Sequence, residues 1–160
     1  MSATAVEINR HGAEAIAELE PLWLALKDHH GACTPGAPVH DDATSWAMRR
    51  RQYEEWLAED GAFLLIARRD GEPLGFALVR MHDQSPTWIE PERYAIVQDL
   101  AVGEAARGTG VGRALLDAVH DQSDCAMVEL TVLTANDPAK AFYDRLGFEL
   151  YTETLRRRRQ

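Results

Sequence analysis

The chain is poor in cysteine and has no long apolar run. Only two of its 160 residues are cysteines, Cys33 and Cys125, which excludes a disulfide framework and a four-cysteine zinc site. Its 11 glycines and 7 prolines are too few for a collagen-like or low-complexity chain. The longest apolar run, residues 61–67, is too short to cross a bilayer, and the N-terminus lacks the pattern of a signal peptide. We therefore expect a cytoplasmic protein with one domain over residues 1–160.

Basic residues are also in the minority. Lys and Arg number 17 against 26 Asp and Glu, a net charge of −9, and four of the arginines form one C-terminal cluster, Arg156–Arg159. Such an acidic body repels phosphate backbones and anionic lipid and attracts cationic small molecules. We expect no nucleic-acid partner and no membrane partner. The arginine cluster is interpreted as a solvated strand end, with nucleic-acid contact as the less favoured alternative.

The first third of the chain has the periodicity of helices. Apolar residues recur at three- and four-residue steps over 13–26, and Pro21 within this pattern predicts a kink or two consecutive helices. Gly and Pro predict a loop between His29 and Asp41, after which Thr44 or Ser45 can cap a second helix. The tryptophans of this part are predicted to lie in the core or in a dimer contact: Trp23, Trp46 and Trp56.

The rest of the chain alternates between strand and helix patterns. Asp70-Gly71 separates two apolar runs and predicts a hairpin. The predicted strands are 6–8, 63–67, 74–79, 94–102, 127–133 and 148–155, and the later helices begin at Val111 and Asp137. The order β-α-α-β-β-β-α-β-α-β predicts a mixed α/β fold, in which a mixed sheet has helices on both faces.

A glycine-rich turn is the most informative stretch. Arg107-Gly108-Thr109-Gly110-Val111-Gly112-Arg113 follows a predicted strand and opens a predicted helix. Glycines let a ligand approach the backbone, and the unpaired N–H groups and dipole of a helix N-terminus favour an anion. With an arginine at each end, the turn is suited to bind phosphate.

Two familiar phosphate motifs do not fit this turn. A P-loop requires Lys and then Ser or Thr after the last glycine, whereas Arg113-Ala114 follow here. A dinucleotide-binding turn requires G-x-G-x-x-G, whereas this turn is G-x-G-x-G. A tight turn with no ligand stays open as the structural alternative.

The turn instead resembles the acyl-coenzyme A signature of the GCN5-related N-acetyltransferase (GNAT) family. A second stretch, Asn136-Asp137-Pro138-Ala139-Lys140-Ala141-Phe142-Tyr143-Asp144-Arg145-Leu146-Gly147-Phe148, is similar to that family's Asn-x-x-Ala-x-x-Phe-Tyr-x-x-Leu-Gly-Phe. The element order is similar along the whole chain. It departs from the family in ending soon after the last predicted strand, which truncates the usual final hairpin.

The resemblance implies acetyl-CoA as cosubstrate. In the family, the strand that here ends at Val102 and the strand over 127–133 begin side by side and splay apart. The pantetheine arm lies between them, along backbone freed chiefly at Leu100 and Val102. The pyrophosphate then lies on the turn, and no metal is expected. The implied cofactor-binding residues are Leu100, Ala101, Val102, Arg107, Gly108, Thr109, Gly110, Val111, Gly112, Arg113, Asn136, Ala139, Phe142 and Tyr143.

The resemblance also implies direct attack of an amine on the thioester in a ternary complex. Tyr143 matches the proton donor for the departing thiolate, and the less favoured alternative is an aromatic residue that only packs. The Leu100 N–H is the implied oxyanion donor, and Asn136 either binds the cofactor arm, caps a helix or does both. Some members of the family carry a Glu that acts as general base at the position of Gln98. Glutamine cannot accept the proton, so no general base is identified.

The resemblance further implies that the loop between the first two helices walls the acceptor pocket. It contains His29, His30, Cys33, His40, Asp41 and Asp42. These residues could ligate zinc, but their spacing fits no standard site. We take His29, His30 and Gln98 as acceptor-binding residues and expect a primary amine on a small cationic molecule. The alternatives are a protein amine as acceptor and a non-catalytic acyl-CoA sensor, and a homodimer is a further expectation.

Overall fold

The structure is a computed structural model that describes residues 5–159. It contains five strands, four α-helices and two short 3₁₀ segments. In chain order they are β1 (Glu7–His11), a 3₁₀ segment (Ala13–Leu19), α1 (Glu20–Ala32), α2 (Asp42–Leu57), β2 (Phe63–Arg69), β3 (Glu72–Asp83), β4 (Arg93–Val102), a 3₁₀ turn (Glu104–Ala106), α3 (Val111–Ser123), β5 (Val128–Leu130) and α4 (Asp137–Arg145).

The strands form one mixed sheet in the order β1-β2-β3-β4-β5. The first four pair antiparallel with their neighbours, and β5 pairs parallel with β4. The predicted hairpin joins β2 to β3, with both Asp70 (φ 53°) and Gly71 (φ 84°) in the left-handed region that a type I′ turn requires. The predicted mixed α/β fold is therefore confirmed.

Helices cover both faces of the sheet. On one face, α1 and α2 bury Trp23, Trp46 and Tyr53 against β2 and β3. On the other face, α3 buries its apolar stripe against alternate residues of β2, β3 and β4. That stripe is the predicted one: Val111, Leu115, Leu116 and Val119. Trp23 and Trp46 are core residues, as the sequence indicated.

A bulge in β4 reverses which residues face each helix layer. Asp99 pairs with Leu78, but the next pair is Val97 with Val79, so Gln98 has no partner on β3. Before the bulge, Val97 packs with the α3 layer, whereas after it Ala101 packs with the α1 and α2 layer. A bulge inserts one residue and bends its strand, which explains the change of parity.

The helix termini correct two predictions about the first third of the chain. Pro21 does lie at the start of a helix, α1, directly after the 3₁₀ segment. The predicted loop begins later than His29, because α1 continues to Ala32 and the Thr34 hydroxyl caps the His30 carbonyl at 3.0 Å. The cap of α2 is Asp41, whose side chain accepts from the Thr44 N–H at 2.9 Å, and neither Thr44 nor Ser45 has this role.

The predicted last strand, residues 148–155, is wrong. These residues form no strand and are almost all exposed, with Leu150 and Leu155 at 82% and 91% exposure. The neighbouring strand β5 has only three residues instead of the predicted 127–133, so it provides little backbone for a further strand to pair with.

No helix of residues 5–159 has both the length and the hydrophobicity needed to span a bilayer.

A buried carboxylate links β4 to α2. Asp99, 7% exposed, accepts a 2.6 Å hydrogen bond from the Tyr53 hydroxyl and lies 3.6 Å from the Arg49 guanidinium. Burial raises the pKa of Asp99, and Arg49 and Tyr53 act in the opposite direction. Arg49 in turn stacks on the Trp23 ring at 4.1 Å. The Asp99 carboxylate is thus occupied by structural partners.

We predict that Tyr53→Phe destabilises the fold. The substitution keeps the ring but removes the hydroxyl, leaving a buried carboxylate short of a donor, which costs about 1–3 kcal/mol. Urea denaturation should show a free energy of unfolding lowered by that amount. Tyr151→Phe, at a tyrosine that is 63% exposed, is the control and should have no effect. Equal stability of Tyr53→Phe and the unsubstituted chain would contradict the structural role of the hydroxyl.

Candidate functional site

A cleft opens where β4 and β5 separate. The two strands pair only over three residues each, and their last pair is Val97 with Leu130. Beyond it, residues 98–102 of β4 have no partner on the β5 side among the residues described. Buried backbone polar groups are rarely left unpaired, so this edge is suited to a ligand that supplies hydrogen bonds.

The bulge decides which backbone groups face the cleft. The Ala95 N–H donates to Met127 on the β5 side, whereas the Gly103 N–H donates to Leu74 on the β3 side. Because backbone groups alternate along a strand, the groups of Leu100 and Val102 are directed into the cleft. The Val102 carbonyl already accepts a 3.2 Å hydrogen bond from Arg107 Nε, which leaves its N–H available.

The glycine-rich turn presents free amides beside this cleft. Within residues 5–159, the N–H groups of Gly108 and of residues 110–113 make no hydrogen bond, whereas those of Arg107 and Thr109 donate to Glu104 and Ala106. Gly110 begins α3 in the left-handed region (φ 91°), which turns the chain into the helix. Five free amides at, or just before, the N-terminus of a 13-residue helix are suited to bind an anion.

Positive charge predominates on the cavity wall although the chain is acidic. Arg107, Arg113 and Arg145 line the cavity. Among residues 5–159 the only carboxylate on this wall is Asp99, which Tyr53 and Arg49 already engage. The local charge therefore suits an anionic ligand such as a diphosphate.

Asn136 connects the start of α4 to α1. Its Oδ1 accepts from the Ala139 N–H at 3.3 Å, which makes it the N-cap of α4, and lies 3.1 Å from His29 Nε2. Within residues 5–159, the Nδ2 group of Asn136 makes no hydrogen bond. Asn136 is 6% exposed and lines the cavity, so it can cap the helix and still donate to a ligand.

Tyr143 of α4 lines the same cavity as Asn136. Its ring packs against Phe142 and Phe148 at 5.2 and 5.6 Å between centroids, and its hydroxyl makes no hydrogen bond to the residues described. Burial raises the pKa of Tyr143 to about 12. The side chain is therefore protonated at neutral pH and is a hydrogen-bond donor.

One cavity of about 850 Å³ joins these features, a volume within the usual range of ligand pockets. It brings together nearly all the predicted site residues: His29, His30, Gln98, Leu100, Ala101, Val102, Arg107, Gly108, Gly110, Gly112, Arg113, Asn136, Ala139, Phe142 and Tyr143. Thr109 and Val111 do not line it. The Thr109 hydroxyl donates to the Ala106 carbonyl at 2.6 Å, and the Val111 side chain is buried in the core.

The cavity wall also includes residues that the sequence analysis missed. Leu22 and Leu26 of α1 and residues 131–133 after β5 contribute to it. Arg145 completes a face of α4 that begins at Pro138 and continues through Phe142. The four- and three-residue spacing of these positions was a signal that could have identified Arg145.

The six polar residues predicted to lie in the loop after α1 are not gathered at one site. They are His29, His30, Cys33, His40, Asp41 and Asp42. Asp41 caps α2, Asp42 forms an ion pair with Lys27, and His40 is exposed. Cys33 Sγ lies 3.9 Å from His29 Nε2. Of the six residues, only His29 and His30 line the cavity.

Comparison with known proteins agrees with this geometry. The family model described as "Acetyltransferase (GNAT) family" matches residues 23–148. A mycothiol acetyltransferase of Thermobispora bispora is 35% identical over 148 residues, covering 88% of this chain and 46% of that protein. The chain thus spans less than half the length of this curated relative.

Solved structures share the fold. An aminoglycoside N-acetyltransferase in complex with CoA has a TM-score of 0.72 at 20% identity, covering 99% of this chain and 97% of that one. A GCN5-related N-acetyltransferase from Ralstonia eutropha JMP134 has a TM-score of 0.74 at 17% identity, covering 96% and 98%. With its splayed strands, its glycine turn and a family match over most of its length, the chain belongs to the acetyltransferase (GNAT) family.

Proposed function

We propose that this chain transfers an acetyl group from acetyl-CoA to a primary amine of a small molecule. The observation that carries the proposal is that four residues of the glycine turn with free amides, and Tyr143 with an unbonded hydroxyl, line one cavity. A diphosphate at the turn and a thioester near Tyr143 then belong to a single ligand that lies along the open edge of β4.

The cosubstrate binds through backbone and arginine contacts. The pyrophosphate accepts from the free amides of Gly108, Gly110, Gly112 and Arg113, and the side chains of Arg107 and Arg113 add positive charge. The pantetheine arm pairs with the cleft-facing groups of Leu100 and Val102 and accepts from Asn136 Nδ2. Thr109 has no side-chain role in this arrangement.

Transfer proceeds by direct attack within a ternary complex. The lone pair of the neutral amine forms a bond to the thioester carbon, the resulting oxyanion accepts from the Leu100 N–H, and the bonded nitrogen loses a proton. The C–S bond then breaks and the electron pair leaves on sulfur. The proton lost by the amine nitrogen finally protonates the thiolate, giving an amide and free CoA.

Tyr143 stabilises the departing sulfur by hydrogen bonding. An ordinary thiol has a pKa of about 8.5, and the pKa of Tyr143 is raised to about 12. Complete transfer of the phenol proton to a thiolate is therefore uphill. The hydroxyl acts as a fixed donor to the developing negative charge while the amine proton completes the reaction.

The acceptor is a small amine that enters beside α1, where His29, His30 and Gln98 line the cavity. The names of the relatives, mycothiol and aminoglycoside acetyltransferases, support a small-molecule acceptor. The net charge of −9 favours a cationic one through long-range attraction. A cytoplasmic location and a homodimer stay predictions of the sequence.

A non-catalytic acyl-CoA sensor is the second candidate, and Gln98 is the observation that favours it. It occupies the bulge on the cavity wall, where an acidic residue could accept a proton and an amide cannot. A sensor would bind acetyl-CoA without releasing CoA to any amine. Turnover therefore separates the two candidates.

We predict that Gly110→Ala weakens acetyl-CoA binding. An alanine at φ 91° costs about 1–2 kcal/mol of backbone strain, and relieving that strain moves the amides of the turn. Calorimetry should show an affinity at least about tenfold lower, the change that 1.4 kcal/mol produces.

Gly71→Ala is the matched control. Gly71 has a similar φ of 84°, and a Cβ at either glycine meets nothing within 4 Å, but Gly71 lies in the β2–β3 hairpin. Both variants should lose similar stability, whereas only Gly110→Ala should lose affinity. No binding of acetyl-CoA by the unsubstituted chain would remove the enzyme and the sensor together.

We predict that Tyr143→Phe lowers kcat by about 10²-fold, because removal of a donor to developing charge costs that much. The KM for acetyl-CoA should stay the same, since the ring still packs on α4. CoA release is measured with a thiol reagent across amino sugars, aliphatic diamines and amino-acid amides, with a correction for the free Cys33 and Cys125. The control is Tyr94→Phe, away from the cavity. An unchanged kcat would exclude the proposed role.

A further inference from the structure

The mechanism needs a group that accepts the amine proton, and the family motifs do not identify one here. The cavity wall provides few titratable side chains. Apart from arginines, which stay protonated, they are His29, His30, Asp99 and Tyr143. The proton acceptor can therefore be chosen among these four side chains by the groups that each one contacts.

Three of the four are poorly suited to the role. Asp99 is bonded to Tyr53 and faces Arg49. Tyr143 is a protonated phenol. The pKa of His30 is lowered by burial, by His29 and by Arg49, which makes its imidazole a weaker base.

The partners of His29 determine its tautomer. Asn136 Oδ1 accepts from the Ala139 N–H, so this atom is the amide oxygen and can only accept from His29 Nε2 as well. Neutral His29 therefore carries its proton on Nε2, and its lone pair is on Nδ1. Within residues 5–159, Nδ1 makes no hydrogen bond.

We propose that His29 is the proton acceptor for the attacking amine, acting through Nδ1 while Nε2 holds Asn136 in place. The inference rests on the proposed acetyl transfer and assigns one step of it. The lone pair of the neutral amine forms the bond to the thioester carbon, and an N–H bond of that nitrogen breaks as its proton moves to Nδ1, leaving the electron pair on nitrogen. The imidazolium then returns the proton to the departing thiolate, so histidine is regenerated.

The same contact relates the acceptor side to the cosubstrate side. His29 is in the last turn of α1, and Asn136 caps the helix that carries Tyr143. The 3.1 Å hydrogen bond joins these two elements across the cavity. A base fixed to the residue that binds the pantetheine arm would stay aligned with the thioester when acetyl-CoA is bound.

His29→Gln tests the proposal, because a glutamine amide can still donate to Asn136 but cannot accept a proton. We expect kcat to fall by about 10²-fold or more, as for loss of a general base, with an unchanged KM for acetyl-CoA. The amine used is the one in the panel that the unsubstituted chain acetylates fastest. His120→Gln, on the exposed side of α3, is the control and should retain full activity.

His29→Ala provides an independent readout. It removes both the base and the bond to Asn136, so the KM for acetyl-CoA should rise, and added imidazole should restore part of kcat in a saturable manner. Thermal unfolding of both variants shows whether they are folded. Restoration by imidazole in His29→Ala, and none in His29→Gln, supports proton acceptance by this side chain.

Two outcomes overturn the proposal and are distinguishable. If His29→Gln loses less than about tenfold in kcat while the unsubstituted chain turns over, His29 is not the base and the acetyltransferase function stands. If the unsubstituted chain binds acetyl-CoA but acetylates no amine of the panel, the proposed function fails and the role of His29 fails with it.

Discussion

The separation of β4 from β5 is the constraint on which the site depends. A parallel pair that continued past Val97 and Leu130 would satisfy the backbone of both strands and leave no edge for a ligand. Here the pairing stops beside the bulge at Gln98, where β4 bends. The bulge also shifts the alternation by one residue, so that Leu100 and Val102, and not Asp99 and Ala101, direct their backbone groups to the cleft. One inserted residue thus accounts for the opening and for the identity of the groups that line it.

The same shift places an acidic side chain where it has a structural role. After the bulge, Asp99 is directed towards α2, where Tyr53 and Arg49 hold its carboxylate. The cavity wall is then left with arginines near the turn and imidazoles near α1. An acidic chain can in this way present a positively charged wall to a phosphate, because local geometry and not net charge decides which residues line a cavity.

Helix α4 and its N-cap residue carry three features of the site. Its N-cap, Asn136, is bonded to α1, and Phe142 packs so close to α3 that a Cβ on Gly112 would lie 3.2 Å from the ring. Tyr143 then follows at the position that faces the opening. Helix α4 therefore contacts α1 of one helix layer and α3 of the other. It links the two layers at the end of the cleft where β4 and β5 no longer pair.

Local patterns were sufficient for much of the fold. The Asp70-Gly71 hairpin, the break at Pro21 and the apolar stripe of α3 depend on near neighbours in the chain, and all three were predicted correctly. Most residues of the two motifs line one cavity, and the family resemblance, not a local pattern, is what assigned both motifs to one site. The last strand was predicted wrongly because a strand needs a partner, and residues 148–155 have none among the residues described.

What the sequence determined by itself was therefore the set of elements and the two motifs, which follow from local propensity, periodicity and resemblance. Only the tertiary structure decided the parity of β4, the free and bonded amides of the turn, and the contact between His29 and Asn136, which are 107 residues apart in sequence. Glycine and proline content predicted a loop between His29 and Asp41, but the helix continues past His29 and its last turn contacts the cap of α4. The physical reason is that a hydrogen bond between distant segments depends on how the layers pack, and no local pattern records that packing.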